Sequence, residues 1–513
     1  MPEEDPRIVE LRAMREKARL GGGEDRIAKQ HAKGKQTARE RIEMLLDPNT
    51  FQEANRYVTS RLEEKPEALG DGVVTGSGLI DGRQVFVYAQ DATVQAGALG
   101  EMQSAKICYV MDMAAKTGKP VIGLIDSGGA RIQEGIHSLH GYGEIFRRNG
   151  QYSGIVPQLS VIMGPCAGGA AYSPALTDMV IMVENASYMF LTGPEVIKSV
   201  TGEEIDMETL GGAATHLGVS GTAHLTGVDE KTALGLVRRV LSYLPANNAE
   251  NPPALDCGDD PARADAELQT IVPVDWMTPY SMYEVIERVV DRGSFLELQA
   301  TFATNAIVGL ARLGGQSVGI VANNPMSLGG AMDRNVGDKI ARFVRFCDAF
   351  NVPVVTFVDT PGFLPGVDQE HNGVIRHGAK ILFAYAEASV PRVSVVTRKA
   401  YGGAYLVMGS ESLGNDICFA WPSAEIAVMG PEGAANILYR KQIKEAADPA
   451  AERARLVEEY RRTFLNPYAA SSVGYLNDVI EPRETRLKLI LALKALRDKS
   501  VNPLPRKHGN IPL

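Results

Sequence analysis

The sequence predicts an α/β fold built from two tandem copies of one unit. Residues 121–125 and 159–163 are apolar runs of strand length, each followed by a loop of small residues. The pattern returns from residue 353 onward: PVIGLIDSGGARIQ is matched by PVVTFVDTPGFLPG, and LSVIMGPCAGGAAYSP by VSVVTRKAYGGAYLVM. Strands and helices in this alternation build a sheet that is covered by helices.

The two copies keep a nearly constant spacing along the chain. The residue numbers of Asp126 and Asp359 differ by 233, and those of Gly169 and Gly403 differ by 234. This period excludes a solenoid, whose repeats are roughly 20–50 residues long. We therefore expect an N-terminal domain, residues 1–250, and a C-terminal domain, residues 265–513, joined through a stretch rich in Pro, Asn and Asp.

The N-terminal segment that precedes the repeat is expected to be helical. Residues 5–19 have helical spacing and end at three consecutive glycines, which terminate a helix. Residues 24–46 form a second, basic helical stretch. Within it, Thr37 and Glu40 have the spacing of a capping box.

The repeat itself opens with a predicted hairpin. Apolar residues alternate in 72–76 and in 84–88, and Asp81 and Gly82 between them favour a tight turn. Residues 101–116 follow with the apolar periodicity of a helix that covers the sheet.

Composition describes an ordinary globular chain. Of its 513 residues, 45% are hydrophobic and 22% are charged, and the net charge of −9 argues against nucleic-acid binding. The five cysteines are scattered, without a CxxC pair, so neither a disulfide framework nor a cysteine metal site is expected. The acidic N-terminus lacks the apolar core of a signal peptide, and no apolar run is long enough to span a membrane. We expect a cytoplasmic protein.

A search for catalytic side-chain motifs finds little. HExxH and GxxxxGK[ST] are absent, and Glu134 and Asp359, which could serve as bases, give no matched acid/base pair between the two copies. What recurs is a glycine-rich turn ahead of a helix, which offers backbone N–H groups to a developing oxyanion. One such turn alone could merely tighten the chain. Two of them indicate enolate chemistry between two carbonyl-bearing substrates.

Long motifs in a fixed order also carry a resemblance that covers nearly the whole chain: GKQTARERI, DSGGARIQEG, MGPCAGGAAYSPALTD, FVDTPGFLPG, RKAYGGAY, AWPSAEIAVMGPEGA and RKHGNIPL. With these motifs the chain resembles the carboxyltransferase (beta) subunit of biotin-dependent acyl-CoA carboxylases, of the propionyl-CoA carboxylase type. The resemblance implies two crotonase-like domains of ββα superhelical (ClpP/crotonase) architecture and a homo-hexameric core.

The resemblance further implies the reaction. A carboxyl group passes from carboxybiotin to the α carbon of a short-chain acyl-CoA, propionyl-CoA or acetyl-CoA, within a complex that is a ligase forming C–C bonds. The N-terminal domain would lie on the acyl-CoA side and the C-terminal domain on the biotin side. The sequence contains no AMKM-like biotin-attachment motif and no ATP-grasp loop. We therefore expect a separate biotin carboxylase and biotin carrier (alpha) subunit as partner, and no metal in this chain.

By position in the motifs, Gly168 and Gly169 would be the N–H donors to the thioester carbonyl. Gly403 and Ala404 would be the donors to the ureido carbonyl of carboxybiotin. Valine in place of Gly169 or Gly403 is then expected to block carboxylation without unfolding the protein.

Other positions follow from the same resemblance. Phe363 would line the biotin site. Leu406 stands where propionyl-preferring members commonly carry an acidic residue, so a shifted acyl preference is expected. Four residues would lie on the CoA side: Gly128, Gly129, Ala130 and Arg131.

Two other functions remain open at this stage. The alpha subunit of a biotin-dependent decarboxylase, or a transcarboxylase, acts on methylmalonyl-CoA with the same two oxyanion turns. A non-enzymatic scaffold that kept the fold is the third reading, although a scaffold has no need of bare backbone at two sites.

Overall fold

The computed structural model describes residues 4–61, 68–275, 278–502 and 504–513. Contacts within the chain divide it into two compact units, Met1–Glu250 and Asn251–Leu513. Each unit contains one eight-stranded sheet, and most of its strand pairs are parallel. The predicted α/β class with a tandem duplication is therefore confirmed.

The second unit begins with the Pro-rich stretch after residue 250. The amide of Leu255 donates to the carbonyl of Gly315 at 3.0 Å, and the Arg312 guanidinium donates to the carbonyl of Pro253 at 3.0 Å. These bonds fasten the stretch to a hairpin of the second sheet, so it packs as part of that unit.

The strands of the first unit are β1 (Gln52–Ala54), β2 (Val73–Ile80), β3 (Arg83–Gln90), β4 (Val121–Ser127), β5 (Gln158–Ala167), β6 (Met179–Val183), β7 (Tyr188–Phe190) and β8 (Leu225–Gly227). Their order is β1-β2-β3-β4-β5-β6-β8, and β7 pairs with the end of β5. Strands β1 to β3 are antiparallel and the other pairs are parallel. Every residue of the central strand β4 is buried, as is typical of a parallel strand covered on both faces.

The helices of the first unit are α1 (Pro6–Arg19), α2 (Glu24–His31), α3 (Ala38–Leu45), α4 (Glu101–Thr117), α5 (Ile136–Tyr152), α6 (Gly169–Leu176), α7 (Pro194–Thr201), α8 (Met207–Gly211), α9 (Ala213–Gly218) and α10 (Glu230–Tyr243). The single helix expected over residues 24–46 is two helices. The second of them starts at the predicted capping box, in which Thr37 and Glu40 bond each other's backbone.

The predicted hairpin between β2 and β3 is also confirmed. Its turn residues Asp81 and Gly82 have φ angles of 50° and 74°. Both angles lie in the left-handed region, as a type I′ turn requires, and Asp and Gly tolerate that region better than most residues.

The second unit repeats this arrangement with β9 (Leu296–Leu298), β10 (Ala306–Leu313), β11 (Gln316–Asn323), β12 (Val354–Thr360), β13 (Arg392–Tyr401), β14 (Ile417–Ala420), β15 (Glu425–Ala427) and β16 (Asp478–Val479). Read from β9, the order is β9-β10-β11-β12-β13-β14-β16, and β15 pairs with the end of β13. This is the order of the first sheet, strand for strand.

The helices of the second unit are α11 (Leu268–Ile271), α12 (Met282–Val289), α13 (Arg334–Ala349), α14 (Val367–His371), α15 (Val374–Glu387), α16 (Gly402–Val407), α17 (Pro431–Leu438), α18 (Arg440–Glu445), α19 (Pro449–Phe464), α20 (Pro467–Ser471) and α21 (Thr485–Ala495). Helix α21 packs on the core through the fully buried Trp421, whose indole N–H donates to the hydroxyl of Thr485 at 2.9 Å.

A buried lysine occupies the same place in each unit. Lys106 on α4 donates from Nζ to the carbonyls of Gly70 and Val73 at 2.8 and 2.5 Å. Lys339 on α13, 233 positions later, donates to the carbonyls of Phe302 and Ala306 at 2.8 and 2.7 Å. Each ammonium thus ties the loop ahead of a hairpin to the helix that covers the sheet.

Candidate functional site

Both units deliver a glycine turn from the end of a long strand into the start of a helix. Strand β5 ends at Ala167, and Gly168 then takes a φ of 58° and a ψ of −124°, outside the regions that residues with a side chain commonly adopt. Strand β13 ends at Tyr401, and Gly402 takes a φ of 59°. The first glycine of the predicted turn therefore has nearly the same φ angle in both units.

The backbone N–H groups at these turns are not equivalent to one another. The N–H of Gly168 donates to the carbonyl of Phe190 at 3.0 Å, which closes the pairing of β5 with β7. Within the described residues, no acceptor is found for the N–H groups of Gly169 and Ala170 at the start of α6. Gly168 shapes the turn, and the next two residues carry the unengaged donors.

The second turn has the corresponding pair. The N–H groups of Gly403 and Ala404 have no acceptor in the described part of the chain. The residue numbers of Ala170 and Ala404 differ by 234, as do those of Gly169 and Gly403. The duplication therefore matches Gly169 and Ala170 to the donors expected in the second unit, which makes Ala170 a further candidate donor beside the expected Gly168 and Gly169.

The space above the two turns also differs. A Cβ at Gly403 would meet no heavy atom within 4 Å. A Cβ at Gly169 would lie 2.9 Å from Cδ2 of Tyr142, whose buried ring stacks on Phe146 with a centroid distance of 5.8 Å. A valine side chain at Gly403 would therefore meet open space, as the expected block without unfolding requires, whereas at Gly169 the Tyr142 ring would have to shift to admit it.

The loop after β4 contains the four residues expected on the CoA side. Gly128 is exposed, and its N–H donates to the carbonyl of Ala96 at 3.0 Å. Gly129 has a φ of 100° and lies close to the carbonyl of Ala167. Ala130 is half-buried and forms a parallel bridge with Leu99. These three residues bring bare backbone to the edge of the sheet where β5 ends.

Arg131, the fourth residue, turns away from solvent. Its guanidinium is fully buried and contacts Asp71 at 2.8 Å and Glu134 at 2.6 Å. Burial alone would lower the pKa of Arg131, but the two carboxylates outweigh burial and raise it. Burial raises the pKa of Asp71 despite the opposing charge of Arg131. The side chain of Arg131 therefore supports the loop from below.

The two carboxylates considered as bases are both buried in ion pairs. Glu134 accepts from Arg131 and from the amide of Glu101 at 2.6 Å. Asp359 is fully buried and accepts from Arg398 at 3.0 Å. Neither carboxylate faces solvent, so neither is placed to take a proton from a substrate.

The positions expected on the biotin side lie on two elements of the second unit. Phe363 is half-buried in the loop after β12, bridges Met332, and rests its ring on Gly378, where a Cβ would come within 3.0 Å. Leu406 lies on α16, one turn beyond the glycine turn, and is 43% exposed. An exposed apolar side chain beside the unengaged N–H groups is free to contact a ligand.

Other features of the described residues can be stated briefly. They contain no group of three or more His, Cys, Asp or Glu side chains arranged to hold a metal ion. No helix among them combines the length and apolarity needed to cross a membrane. His216 and His377 are engaged, the first with the carbonyl of Met189 at 2.7 Å and the second with Asp338 at 2.9 Å.

Comparison with known proteins decides the family. The sequence pattern of the carboxyl transferase domain family matches residues 29–511. The chain belongs to the carboxyl transferase domain family. The resemblance to carboxyltransferase subunits of the propionyl-CoA carboxylase type is confirmed as well. This carboxyltransferase is 57% identical over 513 residues to the propionyl-CoA carboxylase, carboxyltransferase subunit, of Haloferax mediterranei, and 99% of both chains is covered.

Relatives with other reactions are nearly as similar. The carboxyltransferase is 54% identical over 501 residues to the methylmalonyl-CoA decarboxylase subunit alpha of Veillonella parvula, with 97% of both chains covered. Among solved structures, the hexameric transcarboxylase 12S with methylmalonyl-coenzyme A and methylmalonic acid bound has a TM-score of 0.97 and 49% identity. That match covers 100% of this chain and 99% of the other. The crotonase-like tandem fold predicted from the sequence is thus confirmed.

Proposed function

We propose that this carboxyltransferase moves a carboxyl group from carboxybiotin to the α carbon of a short-chain acyl-CoA. In this proposal the first unit binds the thioester carbonyl and the second unit binds the ureido carbonyl. The observation that carries the proposal is the pair of glycine turns, each with two unengaged N–H groups at the start of a helix. Both substrates build negative charge on oxygen during transfer, and each turn is suited to stabilise one oxyanion.

The donors in the first unit are Gly169 and Ala170 rather than Gly168 and Gly169. The engagement of Gly168 with Phe190 supports this revision, as does the match to Gly403 and Ala404 in the second unit. Loss of one such donor costs about 10²–10³ in kcat in enzymes where it has been removed. Exposed Gly128 and half-buried Ala130, on either side of buried Gly129, extend the acyl-CoA side.

Carboxybiotin, when bound, would supply the carboxyl group. The chain contributes N–H donors at Gly403 and Ala404, the open space above Gly403, and the half-buried ring of Phe363. This arrangement fits a flat, neutral ureido ring that approaches bare backbone. We further propose that the biotin is carried by a separate subunit, because the sequence contains no AMKM-like attachment motif and the relative from Haloferax mediterranei is named as one subunit of a carboxylase.

A homo-hexameric core is part of the same proposal. The support is the transcarboxylase 12S, a hexamer that matches this chain over its full length. Light scattering of the purified chain in solution tests this. A hexamer mass is expected, and a monomer mass would contradict it.

The acyl preference is proposed to depend on Leu406. Its apolar side chain is exposed beside the second turn, where an aspartate would add charge without entering the core. Leu406→Asp is expected to change the ratio of rates among acetyl-, propionyl- and butyryl-CoA while the folded yield stays the same. Identical ratios in the parent and the variant would contradict this role, and Leu406→Met serves as the size-matched apolar control.

A second candidate function is decarboxylation or transcarboxylation of methylmalonyl-CoA. It is favoured by the 54% identity to a methylmalonyl-CoA decarboxylase alpha subunit and by the match to the transcarboxylase. The same turns serve both directions, so only the direction of net reaction separates the candidates. Release of carbon dioxide from methylmalonyl-CoA in the assembled complex, without forward carboxylation, would favour this candidate.

The experiment that tests the proposed function combines a substrate comparison with one variant. The purified chain is given free carboxybiotin with acetyl-, propionyl- or butyryl-CoA, and free biotin with malonyl- or methylmalonyl-CoA. Turnover of a saturated acyl-CoA is expected. Gly403→Val is expected to abolish it while circular dichroism and the thermal midpoint stay those of the parent, because the added side chain meets open space. Full turnover by folded Gly403→Val would contradict the proposal.

A further inference from the structure

Strands β5 and β13 carry the same irregularity next to a buried aspartate. Between the pairs Ile125–Ile162 and Ser127–Cys166, strand β4 has one residue, Asp126, whereas β5 has the three residues 163–165. The second unit repeats this count. Between the pairs Val358–Val396 and Thr360–Ala400, β12 has Asp359 and β13 has residues 397–399. Each unit therefore has a bulge of two extra residues opposite an aspartate.

The bulge redirects the strand toward the glycine turn. Before the bulge, β5 pairs with β6. From the last bulge residue, Pro165, to Ala167 it pairs with β7, and Gly168 follows directly. In the second unit β13 pairs first with β14 and then, from Lys399 to Tyr401, with β15. Bulges bend a strand and re-aim the groups that follow. The direction of each oxyanion turn thus depends on the bulge.

In the first unit the aspartate is neutralised from another part of the chain. Asp126 is 2% exposed and contacts Lys35 at 2.7 Å and Arg41 at 2.9 Å. Arg41 also donates to the carbonyl of Met163 in the bulge at 3.2 Å, and it pairs with Glu230 at 2.6 Å. Burial alone would lower the pKa of Arg41, but Glu230 and Asp126 outweigh burial and raise it. The N-terminal segment therefore supplies both cations.

In the second unit the bulge supplies its own cations. Asp359 accepts from the Arg398 guanidinium at 3.0 Å and from the backbone N–H of Lys399 at 3.2 Å, and both residues belong to the bulge. The Lys399 ammonium lies 3.5 Å from the same carboxylate. The Arg398 guanidinium also lies over the ring of Tyr280, with its carbon 4.8 Å from the ring centroid.

In the first bulge, a glycine stands at the position where the second bulge has its arginine. The position in the first bulge that corresponds to Arg398 is Gly164, since their numbers differ by 234. A Cβ on Gly164 would lie 2.0 Å from the Asp126 carboxylate and 2.5 Å from Nζ of Lys35. The absent side chain leaves the volume that Lys35 fills from outside the strand. The carboxylate opposite the bulge is common to both units, whereas the origin of its counter-charge is not.

We infer that Asp126 and Asp359 are positioning residues, each of which holds the bulge that aims the oxyanion turn of its own unit. Lys35 and Arg41 of the N-terminal segment extend this role for the first unit alone. A buried ion pair by itself contributes little net stability, because desolvation offsets the attraction. The recurrence of the aspartate with two unrelated sets of cations is therefore explained better by the geometry of the bulge than by stability.

The test rests on the proposed function, because it assigns one half-reaction to each unit. Asp126→Asn is expected to lower kcat for acyl-CoA carboxylation by up to about a hundredfold, as a misplacement near 1 Å does, with KM nearly unchanged. Decarboxylation of free carboxybiotin without acyl-CoA is expected to continue in this variant. Asp359→Asn is expected to slow that decarboxylation to a similar degree.

A matched control separates positioning from stability. Asp291 and Arg486 form a buried pair at 2.7 Å in the second unit, and Asp291 also accepts from the amides of Gly314 and Gly315. This pair holds the hairpin between β10 and β11 and touches neither bulge. Asp291→Asn is expected to lower the thermal midpoint and to leave both rates unchanged per folded molecule.

The outcomes are distinguishable. Parent rates in folded Asp126→Asn and Asp359→Asn overturn the inference. A loss of rate that the fall in thermal midpoint explains, as in the Asp291→Asn control, also overturns it. If Asp126→Asn does not fold, Lys35→Met removes one cation and leaves Arg41 in place. Parent kcat in that variant overturns the inference for the first unit. Retained activity in Gly403→Val, by contrast, would remove the proposed function and not the bulge argument.

Discussion

The loops that follow β4 and β12 are built on one backbone plan and supported in two different ways. In both, the residue after a glycine bridges back to the end of a neighbouring loop, Ala130 to Leu99 and Phe363 to Met332. The two bridges correspond to each other, because Phe363 lies 233 positions after Ala130 and Met332 lies 233 positions after Leu99. The first loop then continues with buried Arg131, and the second continues with half-buried Leu364.

The first loop is fastened by charge and the second by an aromatic ring. Arg131 joins Asp71 and Glu134 beneath the first loop. In the described part of the chain no ion pair involves residues 361–373, and the ring of Phe363 on Gly378 is the apolar contact that replaces one. Helix α14 in this second loop has no buried residue. The comparison teaches that the duplication preserved the backbone groups and left their side-chain support free to change.

The largest effect is expected on the free energy of unfolding, when methionine replaces the residue that follows the bridge in each loop, Arg131 in the first and Leu364 in the second. Arg131→Met leaves Asp71 and Glu134 buried without their cation, so a loss of about 3–5 kcal/mol in unfolding free energy is expected. Leu364→Met conserves volume and is expected to cost less than about 1.5 kcal/mol. Scanning calorimetry of both variants checks the difference. Equal losses would mean that the first loop does not depend on its ion pairs.

A smaller loss, in rate rather than stability, is expected at the first turn. Ala170→Pro removes the unengaged N–H in the first turn of α6, where proline is tolerated, and is expected to lower kcat by about 10²–10³. Gly403→Val probes the second turn by filling open space, a change that Tyr142 forbids at Gly169. Ala170→Gly keeps the N–H and is the control. Parent kcat in folded Ala170→Pro would return the donor role to Gly168.

The smallest effect concerns the feature that the units share. Burial lowers the pKa of both Lys106 and Lys339 from 10.5 to about 8. Between these values the unfolded chain binds more protons than the folded chain, so each lysine makes stability rise with pH. The thermal midpoint of the parent, minus that of Lys106→Met or Lys339→Met, is therefore expected to grow between about pH 8 and about pH 10. A change for one lysine and not the other would break the equivalence of the units.

Features encoded by neighbouring residues were predictable from the sequence. The Thr37–Glu40 capping box, the Asp81–Gly82 turn and the buried run of β4 each depend on spacing over a few residues, and all are found as predicted. The duplication was predictable for the same reason, because the two copies keep their register. One local prediction was wrong, because residues 24–46 form two helices rather than one.

Features that depend on distant pairing were not predictable from single motifs. The engagement of Gly168 follows from the pairing of β5 with β7, and the burial of Arg131 follows from its contact with Asp71, sixty residues away. One usable signal was overlooked. Applying the offset of 234 to Gly403 and Ala404 points to Gly169 and Ala170, without any structure.

The chain segments that supply the cations for Asp126 and Asp359 also determine where the chain can be divided into fragments. The second unit carries Arg398 and Lys399 on the strand that leads to its turn, so a fragment cut from the chain would keep its own counter-charges. The first unit takes Lys35 from the loop before α3 and Arg41 from α3, and both precede the repeated sequence. A gene split or domain exchange drawn at the edge of the repeat would strip the first unit of its cations and leave Asp126 stranded. The N-terminal extension is thus an inseparable component of the first unit, and any chimera must transfer the two together.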